Sequence, residues 1–432
     1  MNLPRIVVVG GGAGGLELVT RLGRKLGKRK RAEIVLVDRN PTHIWKPLLH
    51  EVATGVLDSG LDEVSYQGHS KVNCYQFQRG TLSDIDRQER RLTLAPIIDD
   101  DESVILPSRT LEYDYLILAL GSVSNDFGTP GVAEHCHFLD SPQQAEAFRH
   151  DMLNTFLRYS DPARRIHPKL AVGIVGAGAT GVELAAELYD ASKILHSYGF
   201  TAMDSGQLDV HLIEAAPNIL PALPDRITKA VHRELEKLGV HIHVDTRVTQ
   251  ADEQGILTAD GTRIETDLNV WAAGIKAPEF LSELGLSTQK NHQIKVHDTL
   301  QSVDDERIFA FGDCASCPQE DGKAVPPRAQ AAHQQVSVLY RNLVAMLNDR
   351  PLKPFAFRDR GSLISLAHFD AVGSLMRGAS ARSLFLEGRI AKIFYASLYR
   401  MHQFAIHGAL KTGMTILVDG INRFLKPKMK LH

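Results

Sequence analysis

The chain has 432 residues, 44% of them hydrophobic, which is enough to bury more than one core and predicts two or three domains. Its 49 Lys and Arg residues nearly balance 51 Asp and Glu residues, so the net charge argues against a nucleic-acid partner. Four cysteines are too few for a disulfide framework and are typical of a reducing, intracellular compartment.

The first predicted unit is a strand, a glycine-rich turn and a helix. Residues 5–9, RIVVV, are apolar and β-branched, and the turn GGGAGG follows them. Its GxGxxG positions are Gly10, Gly12 and Gly15. Such a turn presents backbone N–H groups and the positive end of a helix dipole to a pyrophosphate. The next strand, residues 33–37, leads to Asp38, which is placed to accept hydrogen bonds from an adenosine ribose. No signal-peptide pattern precedes this unit, so we do not expect secretion.

The pattern recurs at residues 169–188, KLAVGIVGAGATGVELAAEL. Its GxGxxG positions are Gly176, Gly178 and Gly181. Glu214 ends the following strand, after a connection that residues 192–206 lengthen. An acid there repels a 2′-phosphate, and Ala215 follows where an NADPH site would carry an arginine, so we predict NADH. One such turn can simply pack a helix on a strand, but two complete units predict two dinucleotide sites.

Three further segments resemble those of flavoproteins that bind two dinucleotides. YLILALG and VWAAG look like crossings between domains and end at Gly121 and Gly274. RIFAFGDCAS, residues 307–316, resembles the segment whose aspartate, here Asp313, meets the ribityl chain of FAD. The order implies FAD on the first turn, NADH on the second, and an α/β fold of two Rossmann-like domains similar to glutathione reductase. The implied domains are 1–160 and 301–345 for FAD, 165–300 for NADH, and a carboxyl-terminal region at 346–432.

Over its whole length the chain resembles the type II NADH dehydrogenases, which are single-subunit NADH:quinone oxidoreductases. HIWKPLLHEVATG, residues 43–55, is similar to the family's loop along the flavin, and implies that Lys46, Pro47 and Leu49 lie near the isoalloxazine ring. PPRAQAAHQ, residues 326–334, fits the family's AQxAxQ quinone-site pattern. The resemblance implies a bacterial respiratory enzyme that passes two electrons from NADH through FAD to a membrane quinone. We expect no proton pumping, because no apolar run reaches the roughly 18 residues of a membrane span.

Three side chains are candidates for the chemistry. Glu183, just after the second turn, either orients nicotinamide and mediates proton movement, or is an ordinary first-turn carboxylate stabilised by the helix dipole. Gln330 and Gln334 share one face of a predicted helix, where their amides can donate to quinone carbonyls. Without the family pattern, the same two residues would indicate only a polar surface face.

A CxxC pair follows Asp313 directly. Cys314 and Cys317 have the spacing of a redox disulfide or of half a metal site. No second CxxC is present, and residues 40–60, where disulfide reductases of the glutathione type carry their pair, contain no cysteine. We therefore predict buried thiols and no metal site.

The carboxyl-terminal region is basic and amphipathic. Residues 377–432 contain ten basic and two acidic residues, a formal charge of +8 that leaves −10 for the rest of the chain. Helical projection gathers apolar residues on one side of two successive segments: Ile390, Phe394, Leu398, Met401, Phe404 and Ala405, then Met414, Leu417, Val418, Ile421 and Leu425. This pattern is typical of in-plane interfacial helices, and we expect residues 390–430 to attach the protein to the cytoplasmic face of the bacterial inner membrane. The alternative is packing on the body of the protein or on a second copy in a homodimer.

Other functions stay open at this point. A soluble NAD(P)H-dependent reductase of ferredoxin or rubredoxin would have the same two turns and would not need the basic region. A flavin-dependent sensor would hold its reduced complex without rapid turnover. Sulfide:quinone oxidoreductases share the expected fold but need cysteines spaced through the flavin domain, an arrangement that Cys74, Cys136 and the CxxC pair do not offer.

Overall fold

The structure is a computed structural model that describes residues 3–58, 60, 63–159, 161, 169–199, 205–320, 322–367, 370–376, 383–425 and 429. Its strands are β1 Arg5–Val9, β2 Glu33–Asp38, β3 Thr42–His43, β4 Val64–Ser65, β5 Gln76–Arg79, β6 Leu82–Asp86, β7 Arg91–Leu94, β8 Ile97–Ile98, β9 Val104–Leu106, β10 Arg109–Glu112, β11 Tyr115–Leu118, β12 Val123–Ser124, β13 Leu170–Val175, β14 Leu208–Ile213, β15 His241–His243, β16 Val248–Asp252, β17 Gly255–Thr258, β18 Arg263–Glu265, β19 Leu268–Trp271, β20 Ile275–Lys276, β21 Ile294–Lys295, β22 Ile308–Ala310, β23 Ala315–Ser316, β24 Gly361–Leu366, β25 Asp370–Met376 and β26 Ser383–Glu387. Its α-helices are α1 Ala13–Leu22, α2 Leu49–Thr54, α3 Tyr66–Asn73, α4 Val132–His135, α5 Pro142–Tyr159, α6 Ala179–Ser197, α7 Asp225–Leu238, α8 Ala329–Met346, α9 Arg389–His407 and α10 Ala409–Leu425. A π-helical turn at Gly23–Gly27 extends α1, and short 3-10 helices lie at Lys46–Leu48, Ser205–Gln207, Glu279–Glu283 and Gly312–Cys314.

The first compact unit consists of residues 1–45, 63–123 and 275–358. Its centre is a parallel five-stranded sheet in the order β22-β11-β1-β2-β5. Strand β1 pairs with β11 on one side and with β2 on the other, and its apolar, β-branched residues are buried because helices cover both faces of such a sheet. Helix α8 packs along α1. A small antiparallel sheet, β10-β7-β6, completes this unit.

The second unit consists of residues 46–62, 124–274 and 359–432. A parallel four-stranded sheet, β15-β14-β13-β19, forms its core, and all six residues of β13 are buried. Helix α2 packs on α6, and an antiparallel sheet, β16-β17-β18, flanks the core. A second antiparallel sheet, β24-β25-β26, precedes α9 and α10.

The predicted α/β fold with parallel sheets is confirmed. In each unit the central strand runs into a glycine-rich turn and then a helix, so the turn lies at the carboxyl ends of the strands, where ligands bind in such sheets. Helix α6 runs on to Ser197, so part of the long connection predicted at 192–206 is helical. Residues 200–204 of that connection lie outside the described residues.

The two predicted carboxyl-terminal helices are present, with the break at Gly408. Gly408 has a φ of +84°, a backbone conformation that residues with side chains rarely adopt, and it separates the two helices. Gly413, by contrast, lies inside α10 and does not interrupt it. Of the basic residues counted in the sequence, Arg377, Arg382, Lys426, Lys428 and Lys430 lie outside the described residues. Within the part of the chain that the structure describes, no helix has the length and apolar character needed to cross a membrane.

Candidate functional site

The first glycine-rich turn is held by Asp38. One carboxylate oxygen, Oδ2, accepts the backbone N–H of Gly11 at 2.6 Å, and Oδ1 accepts that of Asn40 at 2.8 Å. Burial raises the pKa of Asp38, while these two N–H donors and the nearby Arg39 oppose the shift. The acid predicted to meet the ribose therefore also fixes the turn that is predicted to receive the pyrophosphate.

Two further side chains, which sequence reasoning missed, contact the carbonyl group of the same glycine, Gly11. The Tyr66 hydroxyl donates to the Gly11 carbonyl at 2.7 Å, and His43 Nδ1 lies 3.0 Å from the same oxygen. Both residues are buried. A lone tyrosine at the start of α3 carries no sequence signal for this contact, because the partner is a backbone atom 55 residues away.

The second turn repeats the arrangement. Glu214 Oε2 accepts the N–H of Ala177 at 2.8 Å, and Oε1 accepts that of Ala216 at 2.9 Å. Each acid thus binds the residue after the first glycine of its turn and the residue two positions beyond itself. The longer connection before Glu214 does not alter this geometry, because α6 absorbs part of it.

Both turns have the backbone shape that a dinucleotide pyrophosphate needs. An added Cβ at Gly12 or Gly178 would have no neighbour within 4 Å, so backbone there is open to a ligand. An added Cβ at Gly15 or Gly181 would overlap the carbonyl oxygen of the first glycine of the same turn, so helix and strand approach too closely for a side chain. The residues present fit one dinucleotide in each unit.

Asp313 lies in the first unit, in the 3-10 turn after β22. Its Oδ2 accepts the Ser122 hydroxyl at 2.9 Å, one residue after Gly121. The neighbouring Gly312 N–H donates to Gln335 Oε1 at 2.8 Å, which ties this turn to α8. Asp313 and Gly121, both predicted at the FAD site, are therefore brought together with the helix that carries the glutamine pair.

Gln330 and Gln334 both lie on α8, one turn apart, as the spacing predicts. The Gln334 amide is engaged with the backbone of Arg358: Nε2 donates to its carbonyl at 2.9 Å, and Oε1 accepts its N–H at 3.1 Å. Between them, His333 Nδ1 lies 2.7 Å from the buried Glu17 carboxylate on α1. Gln334 therefore anchors the chain that follows α8.

Glu183 is buried in the second unit, where three separate segments meet its carboxyl group. The Ser365 backbone N–H donates to Oε1 at 3.0 Å, the Tyr395 side chain is hydrogen-bonded to the carboxyl group, and His50 Nδ1 lies 3.7 Å from Oε2. Burial raises the pKa of Glu183 to about 8, and the charge of Glu51 adds to the shift. Glu183 is therefore mostly protonated at neutral pH, unlike an exposed first-turn carboxylate.

Further titratable groups surround Glu183. His50, Glu51 and Glu187 each have one atom that could bind a metal ion, and these three atoms lie within 4.8 Å of one another. Burial lowers the pKa of His50 to about 4, so its ring is neutral at pH 7, and its Nε2 has no hydrogen-bond partner among the described residues. His50 and Glu51 are adjacent on α2, within the segment 43–55 from which Lys46 and Leu49 were predicted. This adjacent His-Glu pair is the sequence signal that the sequence analysis missed.

The remaining predicted positions are also placed. Lys46 Nζ forms an ion pair with Asp140 at 3.1 Å, and Leu49 is buried at the start of α2. Gly274 has a φ of +64°, and Phe127 occupies the space that a side chain there would need.

The four cysteines are free thiols, and the CxxC pair is buried. The Cys314 thiol donates to backbone oxygens of Phe311 and Leu118 at 3.3 and 3.5 Å. Burial raises the pKa of Cys314 to about 11 and that of Cys317 to about 12, so neither is a thiolate nucleophile at neutral pH.

Comparison with known sequences identifies a family and relatives of this chain. Residues 4–336 match the family model of the pyridine nucleotide-disulphide oxidoreductases. The chain is 46% identical, over an alignment of 444 positions that covers 100% of both proteins, to a type II NADH:quinone oxidoreductase from Haemophilus influenzae. It is 26% identical over 377 residues to one from Staphylococcus saprophyticus, covering 85% of this chain and 89% of that protein.

Solved structures share the fold. NDH2 from Plasmodium falciparum in complex with NADH superposes with a TM-score of 0.82 at 19% identity, covering 99% of this chain and all of that one. The sulfide:quinone oxidoreductase of Aquifex aeolicus gives a TM-score of 0.74 at 16% identity, covering 94% and 92% of the two chains. At these identities the structures establish the fold alone.

Proposed function

The chain belongs to the type II NADH:quinone oxidoreductases, and from that premise we propose how its residues carry the reaction. NADH is oxidised, FAD is the cofactor, and a quinone is reduced to the quinol with two electrons and two protons. The observation that carries the proposal is the buried carboxyl group of Glu183 on the helix that follows the second dinucleotide turn, where burial raises its pKa to about 8.

Each of the two glycine-rich turns binds a different dinucleotide. Gly10, Gly12, Gly15, Asp38, Gly121 and Asp313 hold FAD, and Gly176, Gly178, Gly181, Glu214 and Gly274 hold NADH. Bound FAD would supply the two-electron redox chemistry that couples NADH oxidation to quinone reduction. Glu214 selects NADH, because its carboxylate lies where a 2′-phosphate would bring a second negative charge.

Glu183 supplies a proton for quinone reduction. A carboxylic acid with a pKa of about 8 is protonated in most molecules at pH 7 and still releases its proton readily, which suits a general acid. The Ser365 N–H at 3.0 Å keeps the carboxyl group in one orientation in both charge states. Neutral His50, 3.7 Å away, adds no positive charge that would favour early loss of the proton.

On the acceptor side, Gln330 donates a hydrogen bond to a quinone carbonyl and Gln334 positions it. An amide N–H can polarise a carbonyl without donating its proton, so the proton and the hydrogen bond come from different groups. The contacts of Gln334 with Arg358 hold α8 to the chain that leaves it, which keeps Gln330 in place.

The quinone comes from a membrane, to which α9 and α10 attach the protein peripherally. Apolar side chains predicted to form one face of each helix are solvent-exposed: Phe394 39%, Leu398 40%, Met401 48%, Phe404 56%, Met414 62%, Leu417 67%, Val418 50% and Ile421 51%. An ion pair between Arg400 and Asp419 at 2.9 Å links the two helices. Exposed apolar rows of this size are typical of surfaces that enter a lipid interface or a partner. The membrane surface that we propose is the cytoplasmic face of the bacterial inner membrane.

Vesicle flotation tests the membrane proposal. The holoenzyme should float with vesicles containing anionic lipid, and Leu417→Asp should abolish flotation while leaving NADH oxidation with a soluble quinone unchanged. Leu157→Asp, at an apolar residue on α5 that is 54% exposed, is the matched control and should still float. If Leu417→Asp floats normally, the membrane proposal fails. If the substitution instead turns a dimer into a monomer, the helices bind a second copy of the chain, and the membrane proposal also fails.

Quinone reduction itself is tested on the purified holoenzyme with NADH and a short-chain quinone. A rate no faster than that of free FAD would refute the proposal. Reduction of ferredoxin or rubredoxin in preference to quinone would favour the soluble reductase instead.

A further inference from the structure

A two-stranded hairpin of the first unit, residues 97–106, stands apart from the larger sheets. Strands β8 and β9 pair only with each other in the part of the chain that the structure describes. All residues from 98 to 106 are exposed. The apolar side chains of its strands have these exposed fractions: Ile98 56%, Val104 61%, Ile105 53% and Leu106 42%. An isolated hairpin is only marginally stable in water, and neighbouring exposed apolar residues mark interaction surfaces, so we expect a partner to cover this hairpin.

The tip of the hairpin is strongly acidic. Asp99, Asp100, Asp101 and Glu102 follow one another, and all four are exposed. Two backbone hydrogen bonds close the tip, because the Asp99 N–H donates to the Ser103 carbonyl at 2.9 Å and the Glu102 N–H donates to the Asp99 carbonyl at 3.0 Å. Four carboxylates held so close together repel anionic lipid and nucleic acid. The partner of this segment, the acidic hairpin, must therefore present basic and apolar groups.

The first unit carries a basic surface at residues 24–31, RKLGKRKR, which we call the basic turn. Six of its eight residues are basic and none is acidic. All six are exposed. Among the residues that the structure describes, no acidic side chain forms an ion pair with Lys25, Lys28, Arg29 or Lys30. The basic turn therefore has a formal charge of +6, which is opposite in sign to the −4 of the hairpin tip.

Close packing fixes the basic turn on the body of the unit. An added Cβ at Gly23 would lie 2.2 Å from the Asn73 carbonyl oxygen, which is too close for a side chain. An added Cβ at Gly27 would lie 2.1 Å from that of Cys74, so the basic turn lies directly against the end of α3. Val72, the residue before Asn73, is 64% exposed. The basic turn thus presents fixed positive charges close to an exposed apolar side chain.

We propose that the acidic hairpin of one copy of the chain docks on the basic turn of a second copy. Both segments are exposed, so they do not cover each other within one copy. In a two-fold dimer the contact occurs twice, because each copy supplies one acidic hairpin and one basic turn. Opposite charges steer the two copies together, and burial of the apolar side chains of the hairpin stabilises the contact. The contact involves only the first unit, whereas α9 and α10 belong to the second.

Sedimentation equilibrium of the full chain loaded with FAD tests the contact, in a mild non-ionic detergent that covers the apolar rows of α9 and α10. Wild type should be a dimer at micromolar concentration and should dissociate as the salt concentration rises from about 0.05 M to about 0.5 M. Ile105→Asp should raise the dissociation constant at least about tenfold. Leu157→Asp is the matched control, because Leu157 on α5 is exposed to a similar degree, 54%, and it should dimerise as wild type does.

An exchange of charges between the two segments separates this contact from a loss of folding. Arg29→Glu and Asp100→Lys should each weaken the dimer, because each brings like charges together. The double variant should recover most of the wild-type affinity, because opposite charges meet again. Asp84→Lys, at an exposed carboxylate on β6, is the control for the added positive charge and should not weaken the dimer. Every variant should retain the wild-type FAD content.

Three results would overturn the proposal: a monomeric wild type at low salt, an unchanged dissociation constant in Ile105→Asp, or a double variant that dimerises no better than its two single variants. If Arg29→Glu leaves the dimer unchanged but lowers flotation with anionic vesicles, the basic turn binds lipid, and the proposal also fails.

Discussion

Replacing Glu183 by Gln removes the proton that the proposed mechanism needs while preserving the shape of the side chain. The Gln carbonyl oxygen still accepts the Ser365 N–H, which lies 3.0 Å from Oε1. Loss of a positioned general acid typically slows a reaction by about 10²–10⁴-fold. We expect quinone reduction by Glu183→Gln to slow by at least about a hundredfold.

The pH dependence gives the sharper magnitude. With a pKa of about 8 for Glu183, about nine molecules in ten hold the proton at pH 7 and about one in ten holds it at pH 9. Wild-type quinone reduction should therefore fall about tenfold between pH 7 and pH 9, and the residual rate of Glu183→Gln should lack this step.

The free energy of unfolding should also depend on the protonation of Glu183. The folded pKa is raised above the unfolded value of 4.5, so the stability from this proton is present below pH 4.5 and is lost as pH rises through about 8. Unfolding of Glu183→Gln should not show that decline.

Steady-state rates with NADH and a short-chain quinone, measured from pH 6 to 9, test this reasoning. Ferricyanide serves as the control acceptor, because it takes electrons without protons, and its reduction by Glu183→Gln should stay near the wild-type rate. Glu236→Gln, at an exposed carboxylate on α7, is the control for loss of a negative charge. If Glu183→Gln keeps the wild-type rate and pH profile with quinone, Glu183 is not the proton donor. If it fails equally with ferricyanide, its role is on the NADH side.

Three further predictions follow from the carboxylates and amides at the turns and on α8. Asp38→Ala leaves the Gly11 N–H without its acceptor, at a cost of about 1–3 kcal/mol, and should weaken FAD binding about ten- to hundredfold in a fluorescence titration; unchanged affinity would contradict the assignment. Glu214→Ala should narrow the preference for NADH over NADPH, measured as the ratio of the two kcat/KM values, by about tenfold or more, and an unaltered ratio would remove Glu214 from cofactor selection. Gln334→Leu loses two hydrogen bonds to Arg358 and should lower the free energy of unfolding in urea by about 2 kcal/mol. Gln330→Leu should mainly raise the KM for quinone. The reverse pattern would exchange the roles of the two glutamines.

The parallel sheets and the glycine turns were predictable from sequence because their signals are local. A β-branched run, a GxGxxG turn and an acid at the next strand end occupy one short stretch each, and backbone sterics alone connect them to a strand-turn-helix unit. The carboxyl-terminal helices were predictable for the same reason, since apolar periodicity is a property of consecutive residues. Glu214 follows its turn after a long connection, and its carboxylate is hydrogen-bonded to that turn; its contact with a ribose stays a prediction.

The surroundings of Glu183 were not predictable. Its partners come from residues 50, 365 and 395, and one of them, Ser365, takes part through its backbone N–H, which is independent of residue type. The same holds for Tyr66 and His43, which meet the Gly11 carbonyl. Spacing in sequence gives no information about contacts of this kind, because tertiary packing decides them.

Three acidic residues, Asp38, Glu214 and Glu183, differ in what surrounds them, and the difference accounts for the separate roles that we propose for them. Asp38 and Glu214 each accept two backbone N–H groups, one from the turn and one from two residues beyond the acid, so both oxygens act as acceptors and hold a turn in shape. Glu183 accepts one backbone N–H and lies among other carboxyl groups in a buried place, so the neutral acid is favoured. A carboxylate that must orient a ribose needs fixed acceptor oxygens, whereas a group that must deliver a proton needs a raised pKa. Burial raises the pKa of Asp38 as well, and its two backbone donors oppose that shift, so the number of backbone donors separates the two proposed functions.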